Sequence, residues 1–518
     1  MKTIRFLMTS DTHAQWLDHP DHPGHSLLNT AYLMKQLQSD PSVDLTLTID
    51  LGDFIQGSSM ATYTSTITHD ARPYARALNA MNYDYHLFGN HEFNFGPDYY
   101  RPAYEDLKGK ILCANIIDQA TQSSLMGCPY EIIDFEGIKI GIIGVTTHYI
   151  PNWELPEHYQ GVDFLDAFET VKHYVSLLRP QVDILVVAYH GGFESDLETG
   201  QATEEDTGEN QGYRMLSQIP GIDLFLSGHQ HRQICQKVNG VLTLQPGYGG
   251  EKIASAKIVY DDGQIKQFDG ELIDFRSVSQ ESAAVKSALE PEYEDSQAWL
   301  NQVLGHSLMQ NSTQDILKAR SQGHPFAEMI NQLLLKETDA DFSGVSLLNE
   351  HFFEFQGPIT RKQLLAIYPF YNLIAVVEVS GADLYKIMEQ NLNYFMLDEA
   401  GNLIVNPAYI EPKAQHFNYD LYSGFTCQVN LSQPVGQRVQ KIIDERTNEA
   451  IDLDKVYRLA VTQYRAVGGG NYPQYREAPI ITISSVDIQS LIQDALANPE
   501  KQDWDQINQH YGHLLYIN

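Results

Sequence analysis

The chain lacks the features of membrane, zinc-ribbon and disulfide-framework proteins. No apolar run approaches the roughly 20 residues of a membrane helix, so we expect no membrane association. There are four cysteines in 518 residues, and none forms a CxxC pair. Cys113 lies in the apolar run 110–116 and is predicted to be a core thiol. The N-terminal apolar run 3–9 is too short for a signal peptide, which predicts a cytoplasmic protein.

Positive charge is also scarce. Lys and Arg total 34 against 67 Asp and Glu, giving a formal net charge of −33. A polyanion held by its backbone would be repelled, so we expect no DNA or RNA polymer as a partner. A small phosphorylated substrate remains compatible with this charge, because bound divalent cations control the local field. The sequence leaves the oligomeric state open.

The first half of the chain alternates apolar strand-like runs with helical patterns, which predicts an α/β sandwich. Helical patterns lie at 27–39 and 165–178. The strand candidates are short, continuous and rich in Ile, Val, Leu and Phe, as buried strands are. They are 3–9, 44–51, 84–89, 110–116, 138–146, 182–189, 222–227, 241–245 and 254–260.

The length predicts several domains. We assign a first domain to residues 1–275, a polar and helix-compatible connector to 276–305, and a second, smaller α/β region to 306–518. The second region has a helical pattern at 325–337 and strand-like runs at 373–379, 426–431 and 457–462. The acidic segment 198–210 is interpreted as a solvated loop.

Short polar motifs follow the apolar runs of the first domain. Ligands of open α/β sheets bind beyond the carboxyl ends of the strands, so we expect these motifs to form one site. They are Asp11-Thr12-His13, Gly52-Asp53, Gly89-Asn90-His91-Glu92, His190-Gly191-Gly192 and Gly228-His229-Gln230-His231. Each motif alone is weak evidence, since 19 histidines produce some pairs by chance. Their common placement after strands is what predicts a shared site.

The side chains of these motifs are the ligands of a two-metal phosphoesterase. Two divalent cations about 3.5–4 Å apart can clamp a phosphate and activate a water. Asp53 is the candidate bridging carboxylate. Asp11, His13 and His231 would complete one metal site, and Asn90, His190 and His229 the other. Such a ligand set accepts Mn, Zn, Co or Fe, and the sequence does not choose among them.

The order of the motifs resembles the calcineurin-like metallophosphoesterase superfamily. More narrowly, two segments resemble the 5′-nucleotidase family, which includes UDP-sugar hydrolases and 2′,3′-cyclic-nucleotide phosphodiesterases. These segments are Gly52-Asp53-Phe54-Ile55-Gln56-Gly57-Ser58 and Gly89-Asn90-His91-Glu92-Phe93-Asn94-Phe95-Gly96. The resemblance implies a four-layer αββα catalytic domain followed by a smaller α+β substrate-binding domain.

The resemblance also implies that His91 is not a metal ligand. It would face the scissile phosphate and stabilise charge or protonate the leaving oxygen. In the nucleotidase branch an aspartate three residues later orients this histidine, and here that place holds Asn94. Asparagine at this position resembles the cyclic-nucleotide phosphodiesterase branch.

Two aromatic loops of the second region resemble the family's substrate loops, in which two rings sandwich the base. Phe370 and Tyr464 are the expected pair, with Tyr371 as a substitute for Phe370 and Asn372 as a polar contact. Such stacking contributes roughly 1–3 kcal/mol per base. Arg465 is either a cation near the substrate or a surface residue.

Two departures argue against the nucleotidase branch. Residues 349–353 lack the arginine of its Gly-Gly-x-Arg motif, and Gly470 stands where that branch often has an aspartate. We therefore expect an enzyme that hydrolyses 2′,3′-cyclic nucleotides and nucleoside monophosphates. The alternatives are 5′-nucleotidase or UDP-sugar hydrolase activity, a nucleotide-binding protein without catalysis, and a DNA-processing enzyme, which the acidic charge disfavours.

Overall fold

The chain folds into two units, Met1–Gln297 and Ala298–Asn518. The computed structural model describes residues 1–17, 22–310, 315–348, 355–369, 372–410 and 414–516. Across these ranges, no helix has both the length and the apolar character needed to cross a membrane. The four cysteines are free thiols, and Cys113 is buried, as predicted.

The first unit contains fifteen strands and most of seven helices within its described residues. The strands are β1 Lys2–Thr9, β2 Leu45–Asp50, β3 Tyr85–His86, β4 Lys110–Ile111, β5 Ile116–Asp118, β6 Ser123–Ser124, β7 Tyr130–Phe135, β8 Ile138–Thr146, β9 Val162–Phe164, β10 Ile184–His190, β11 Leu224–Ser227, β12 Gln233–Val238, β13 Val241–Pro246, β14 Lys252–Asp261 and β15 Gln264–Asp274. The helices are α1 Leu27–Gln38, α2 Ser59–Tyr63, α3 Arg72–Met81, α4 Pro97–Asp106, α5 Ala167–Leu178, α6 Gly212–Gln218 and α7 Ala283–Leu300.

Two six-stranded sheets pack face to face in this unit. Their strand orders are β15-β14-β1-β2-β3-β4 and β12-β13-β11-β10-β8-β7. One apolar core lies between the sheets and includes Phe6, Ile142, Val186 and Leu226. Two further cores join the outer helices to the sheets: α1, α3 and α4 cover the first sheet, and α5 and α6 the second. The result is the αββα architecture that the sequence predicts.

Two of the observed strands are much shorter than predicted. The predicted strands 84–89 and 110–116 shorten to the two-residue strands β3 and β4. Strands β7, β12 and β15 were not predicted, because they occupy sheet edges and are only partly buried. Central strands such as β10, which is buried at every residue, carry the continuous apolar pattern.

The second unit is an α+β fold. Its strands are β16 Val303–Ser307, β17 Phe342–Ser346, β18 Gly357–Thr360, β19 Leu373–Ser380, β20 Phe395–Leu397, β21 Leu403–Val405, β22 Asp420–Ser423, β23 Phe425–Val429, β24 Val439–Asp444, β25 Glu449–Ala450, β26 Val456–Thr462, β27 Ile480–Asp487 and β28 Leu514–Tyr516. Its helices are α8 Ile316–Gln322, α9 Pro325–Thr338, α10 Arg361–Ile367, α11 Gly381–Asn391, α12 Gln463–Ala466, α13 Pro473–Glu477, α14 Ile488–Ala497 and α15 Trp504–Gln509.

The central sheet of the second unit has the order β22-β17-β26-β19-β27. Helix α9 packs against it through an apolar face that includes Phe326, Ile330 and Leu334. The helix predicted at 325–337 is therefore correct to within one residue.

Helix α7 occupies most of the predicted connector 276–305. Its residues Val285 and Leu289 are fully buried in the core of the first unit. The boundary between the two units falls near its C-terminal end, between Gln297 and Ala298.

Candidate functional site

The predicted ligand side chains follow the ends of neighbouring strands. In the first sheet β1, β2 and β3 are parallel neighbours, and Asp11, Asp53 and Asn90 follow them. In the second sheet β10 and β11 are parallel neighbours; His190 ends β10, and His229 follows β11. All five lie at carboxyl ends of strands, where ligands of α/β proteins bind.

Five of the seven predicted ligands have a left-handed backbone. Their φ angles lie between 49° and 69°, at Asp11, His13, Asp53, His229 and His231. This conformation costs a residue with a Cβ of order 1–3 kcal/mol, and it concentrates at functional sites. The strand-end turns therefore hold strained backbone at the positions whose side chains point into the cluster.

Gly52 and Gly89 allow two of these turns to touch. A Cβ at Gly52 would collide with the backbone nitrogen of Gly89, and a Cβ at Gly89 would collide with the Asp53 carboxylate. Gly52 also has a φ of +96°. Any larger residue at either place would push Asp53 away from the site.

One group of side chains collects around Asp11. The Asp11, His13 and His231 side chains each place one ligand atom within 4.8 Å of the others. His13 Nε2 lies 3.0 Å from His231 Nε2, and His231 Nε2 lies 3.6 Å from Asp11 Oδ1. The backbone nitrogen of His229 donates to the Asp11 carboxylate, which fixes its orientation.

The second group collects around Asp53. His190 Nε2 lies 3.2 Å from both Asp53 Oδ2 and Asn90 Oδ1. His229 Nδ1 lies 2.8 Å from the same Asn90 oxygen. One ligand atom each of Asp11, Asp53 and His190 also lies within 4.8 Å of the other two, so Asp11 belongs to both groups. The structure thus brings all seven predicted ligands together.

The orientation of the imidazole rings is suited to binding a cation. His190 Nδ1 donates to the Leu51 carbonyl, and His13 Nδ1 donates to the Gln56 carbonyl. With Nδ1 of each ring held by a carbonyl, Nε2 is the nitrogen directed into the cluster, and its lone pair can bind a cation once that nitrogen has no proton. The two Nε2 atoms of His13 and His231, 3.0 Å apart, converge as ligands of a common ion do.

The cluster contains strongly coupled charges. Burial opposes ionisation of Asp53, but His190 and His91 hold the pKa of Asp53 well below its usual value. Burial lowers the pKa of His190, and the Asp53 carboxylate outweighs it and raises the pKa to about 10. Burial lowers the pKa of His13. Without a cation, Asp53 is therefore ionised and His190 keeps a proton, which a metal ion bound at this place would displace.

His91 lies beside the cluster in a short 3₁₀ helix, His91–Phe93. Its backbone nitrogen donates to Asp53 Oδ1, at 2.8 Å. Its Nδ1 donates to Asn94 Oδ1, at 2.7 Å, and its ring centroid is 5.3 Å from that of His13. The structure thus places the predicted pair of His91 and Asn94 in direct contact.

Sequence reasoning missed two carboxylates that support this cluster. Glu92 accepts hydrogen bonds from the backbone nitrogens of Asp53, Phe54 and Gly89 and so ties two turns together. Burial and the nearby Asp53 raise the pKa of Glu92 to about 8. Its place in the Gly-Asn-His-Glu motif was a signal that could have indicated this role.

The second missed carboxylate is Glu209, which accepts a hydrogen bond from His229 Nε2 at 2.9 Å. The interpretation of segment 198–210 as a solvated loop is therefore wrong at its C-terminal end. Asn210 is buried there and accepts a hydrogen bond from the Gly192 backbone. No local pattern distinguishes Glu209 from the other acidic residues of the loop.

The strands that flank the two predicted substrate loops are neighbours in the second unit. Strands β19 and β26 are antiparallel neighbours, with Ile374 opposite Thr462. Asn372, just before β19, donates to the Tyr368 hydroxyl. Tyr464, just after β26, is 40% exposed. Phe370, Tyr371 and residues 349–353 lie outside the described residues.

Arg465 is neither a free cation near the substrate nor a surface residue. Its guanidinium binds both oxygens of Asp420, at 2.7 and 2.9 Å, and donates to the Phe417 and Gly469 carbonyls. Both members of the pair are at most 4% exposed. Buried charges of this kind are retained when every donor is satisfied, so Arg465 organises the loop that carries Tyr464.

Each of the two units contains a segment that matches a known protein family. Residues 4–233 match the calcineurin-like phosphoesterase family, and residues 303–477 match the 5′-nucleotidase C-terminal domain. Calcineurin-like metallophosphoesterases use divalent metal ions, and the two ligand groups described above lie within the first match.

Two solved structures and one curated protein are similar to this chain. A candidate 5′-nucleotidase from Staphylococcus aureus, solved in complex with alpha-ketoglutarate, is 32% identical, with a TM-score of 0.91 and full coverage of both chains. A 5′-nucleotidase precursor from Thermus thermophilus shares the fold, with a TM-score of 0.69, 19% identity, and coverage of 100% and 99% of the two chains. A 2′,3′-cyclic-nucleotide 2′-phosphodiesterase/3′-nucleotidase from Salmonella typhimurium is 25% identical over 90% of this chain and 81% of its own. The chain therefore belongs to the 5′-nucleotidase family of phosphoric ester hydrolases, as its motifs predict.

Proposed function

We propose that this protein hydrolyses nucleotide phosphate esters with two divalent cations, and that 2′,3′-cyclic nucleotides and nucleoside monophosphates are its preferred substrates. The observation that carries the proposal is the convergence of seven ligand side chains from five strand ends. Asp11, His13 and His231 would hold one cation, and Asn90, His190 and His229 the other, with Asp53 between them. When bound, such cations supply charge stabilisation and an activated water.

His91 is the proposed acid. In hydrolysis the oxygen of water bonds to phosphorus, and the bond between phosphorus and the ribose oxygen breaks. The departing alkoxide needs a proton, and a protonated His91 ring can give its Nε2 proton while Nδ1–H stays bonded to Asn94. The His91 backbone nitrogen donates a hydrogen bond to Asp53, and its ring Nδ1 donates to Asn94. These two contacts fix the ring next to the cluster that would hold the phosphate.

The preference for cyclic nucleotides is supported by residues 94, 465 and 470. Asn94, rather than an aspartate, contacts His91. A Cβ at Gly470 would collide with Arg465 Nη1 and come within 2.5 Å of Asn418 Oδ1. Arg465 thus occupies the space that an aspartate at position 470 would need. The loop is incompatible with that feature of the nucleotidase branch.

Tyr464 is the proposed base-stacking residue of the second unit. Its ring is partly exposed and rests at 72° to the ring of Phe417, with centroids 6.3 Å apart. Its hydroxyl donates to Asn418 Oδ1. Phe370 completes the proposed sandwich, and Asn372 provides a polar contact to the base. Stacking on a fixed aromatic ring tolerates different bases, which fits a general nucleotide hydrolase.

A 5′-nucleotidase or UDP-sugar hydrolase is the second candidate. It is favoured by the similarity over the full chain to the candidate 5′-nucleotidase from Staphylococcus aureus. The two candidates share the same metal ligands and differ at residue 94 and in the loops of the second unit. A comparison of their substrates therefore separates them.

A substrate panel tests the proposal. Protein reconstituted separately with Mn, Zn, Co and Fe is assayed on 2′,3′-cAMP, 3′-AMP, 5′-AMP and UDP-glucose. We expect the highest kcat/KM on 2′,3′-cAMP or 3′-AMP. High turnover of 5′-AMP with none of 2′,3′-cAMP would establish the second candidate instead.

Three further results would contradict the proposal: binding without hydrolysis, a preference for DNA, and full activity without His91. If all four nucleotides bind but none is hydrolysed with any metal, the protein is a binding protein without catalysis. Hydrolysis of single-stranded DNA in preference to nucleotides would identify a nuclease. Hydrolysis unchanged in His91→Ala would remove His91 from its assigned role.

A further inference from the structure

A hydrogen-bonded chain continues behind His91 beyond the family motif. Asn94 Oδ1 accepts from His91 Nδ1, at 2.7 Å, and Asn94 Nδ2 donates to Glu154 Oε1, at 2.5 Å. The other Glu154 oxygen accepts from His158 Nδ1, at 3.0 Å. Glu154 lies sixty residues from Asn94 in the sequence, and none of the motifs includes it.

Glu154 is held in place independently of this contact. It follows the short 3₁₀ helix Ile150–Asn152, and its backbone nitrogen donates to the Ile150 carbonyl. Ile150 is fully buried in the core of the first unit. The neighbouring Trp153 ring lies 5.6 Å from the His229 ring. The Glu154 side chain is 11% exposed, so little water competes for its oxygens.

The chemistry of the two groups gives this contact a direction. A carboxamide can present either its oxygen or its nitrogen to a histidine, and the two orientations differ little in shape. An ionised carboxylate only accepts hydrogen bonds. Glu154 therefore accepts from the nitrogen end of Asn94 and leaves the oxygen end for His91 Nδ1–H. With Nδ1–H bonded to Asn94, Nε2 on the opposite edge of the ring is the nitrogen that faces substrate, and in the protonated ring it carries the proton for the leaving oxygen.

We propose that Glu154 is a positioning residue for His91, acting through the Asn94 carboxamide. In this chain the pair Asn94 and Glu154 does the work that one aspartate does in the nucleotidase branch: it supplies an oriented acceptor for the histidine. The inference rests on the proposed function, since it assigns Glu154 to the same ester hydrolysis.

Leaving-group dependence separates positioning from a general structural effect. In Glu154→Ala we expect kcat on 2′,3′-cAMP or 3′-AMP to fall about 10–100-fold with KM little changed, the usual effect of removing a group that orients a site residue. Hydrolysis of bis-p-nitrophenyl phosphate should change by less than about threefold, because nitrophenolate leaves without a proton from an acid. Glu157→Ala, an exposed neighbouring glutamate, is the matched control and should resemble wild type. An equal fall on both esters, or no fall on either, would overturn the proposal.

A reciprocal exchange tests the direction of the hydrogen bonds. Asn94→Asp alone places two carboxylates in contact and should lower kcat, and Glu154→Gln alone should lower it because glutamine can face Asn94 either way. The double variant Asn94→Asp/Glu154→Gln restores one carboxylate and one donor in reversed order. We expect it to be more active than either single variant. A double variant no better than the worse single variant would contradict the assignment.

The tautomer of His91 provides a readout that needs no turnover. In ¹⁵N-histidine-labelled protein, the His91 signals are identified by their loss in His91→Gln. In the neutral form of the ring, we expect Nδ1 to carry the proton in wild type and the two tautomers to mix in Glu154→Ala. This result stands even if the substrate panel refutes nucleotide hydrolysis, so failure of the proposed function and failure of the role of Glu154 are distinguishable. An unchanged tautomer in Glu154→Ala would refute that role.

Discussion

A buried pair of an aspartate and a cation can be compared between the two units, and the two pairs serve different purposes. In the first unit Asp53 meets His190 at 3.2 Å, and in the second Asp420 meets Arg465 at 2.7 Å. All four side chains are at most 4% exposed. A histidine can release its proton and become a metal ligand, whereas an arginine stays charged.

The surroundings of the two pairs agree with this difference. Around Asp53 several imidazole nitrogens converge, as the ligands of a metal ion do. Around Arg465 two backbone carbonyls and both Asp420 oxygens accept its N–H groups. In the first unit the histidine of the pair can exchange its proton for a metal ion. In the second unit the arginine keeps its charge and holds the loop that carries Tyr464.

The largest effect is expected for Asp53→Asn. Loss of this proposed bridging carboxylate should reduce kcat/KM more than about a thousandfold, because a bound cation contributes several kcal/mol of transition-state stabilisation. The fold should persist, since the carboxamide oxygen introduced at this position can still accept a hydrogen bond from His190. Metal content by mass spectrometry, kcat/KM and circular dichroism check this. Full activity with full metal content would show that Asp53 is not a ligand.

Asp420→Asn should destabilise the fold of the second unit, whereas Asp53→Asn should remove activity and leave the fold intact. Removing one partner of a buried pair costs about 3–5 kcal/mol, because the remaining charge has no compensation. The loss should appear as faster hydrogen exchange in peptides of the second unit, with those of the first unit unaffected. Asp383→Asn breaks the exposed pair with Lys386 and is the control, at less than about 1 kcal/mol. If both variants exchange alike, Arg465 is not a scaffold.

His513 gives the second unit a predictable pH dependence. It lies between Glu328 and Glu445, at 3.0 and 2.9 Å. Burial lowers its pKa, but these carboxylates outweigh burial and raise it to about 9. A raised pKa stabilises the fold fully below pH 6.5, and this stabilisation is lost as the pH rises through about 9.

His513→Gln should therefore lower the free energy of unfolding of the second unit at pH 6 by up to about 3 kcal/mol, and by much less at pH 10. Urea denaturation at the two pH values measures the difference. A loss that is equal at both pH values would mean that packing, not charge, explains the effect of the substitution.

The smallest effect is expected for Tyr464→Ala. If the ring stacks on the base, its loss should cost about 1–3 kcal/mol of binding and raise KM for nucleotides roughly 5- to 100-fold, with kcat little changed. Bis-p-nitrophenyl phosphate, which has no base, should be hydrolysed as by wild type. Phe417→Ala tests whether the edge contact between the two rings contributes. An unchanged nucleotide KM in Tyr464→Ala would remove the residue from the substrate loop.

Much of the metal cluster could be predicted because its residues follow apolar strands directly. Asp11, Asp53 and His190 each come within a few residues of a buried run, and parallel strands bring their ends together. Glu154 and Glu209 could not be predicted in this way. They lie in loops whose paths depend on distant contacts, such as the burial of Ile150 and the approach of Glu209 to His229.

Arg465 shows the same limit in the second unit. The sequence places it beside Tyr464, and a cation next to an aromatic residue is compatible with binding or with exposure. Its partner, Asp420, is 45 residues away, and only the folded sheet brings the two together.

The sequence by itself determined the α/β class of the first unit, the strand-end ligand candidates and the reaction class, because strand periodicity and strand-end motifs are local properties of the chain. The four αββα layers were implied by the resemblance to the metallophosphoesterase superfamily. The tertiary structure decided which carboxylates support the histidines and whether Arg465 is free or paired. Those outcomes depend on loops that meet across long sequence separations, where burial and charge pairing, rather than local pattern, determine the contact.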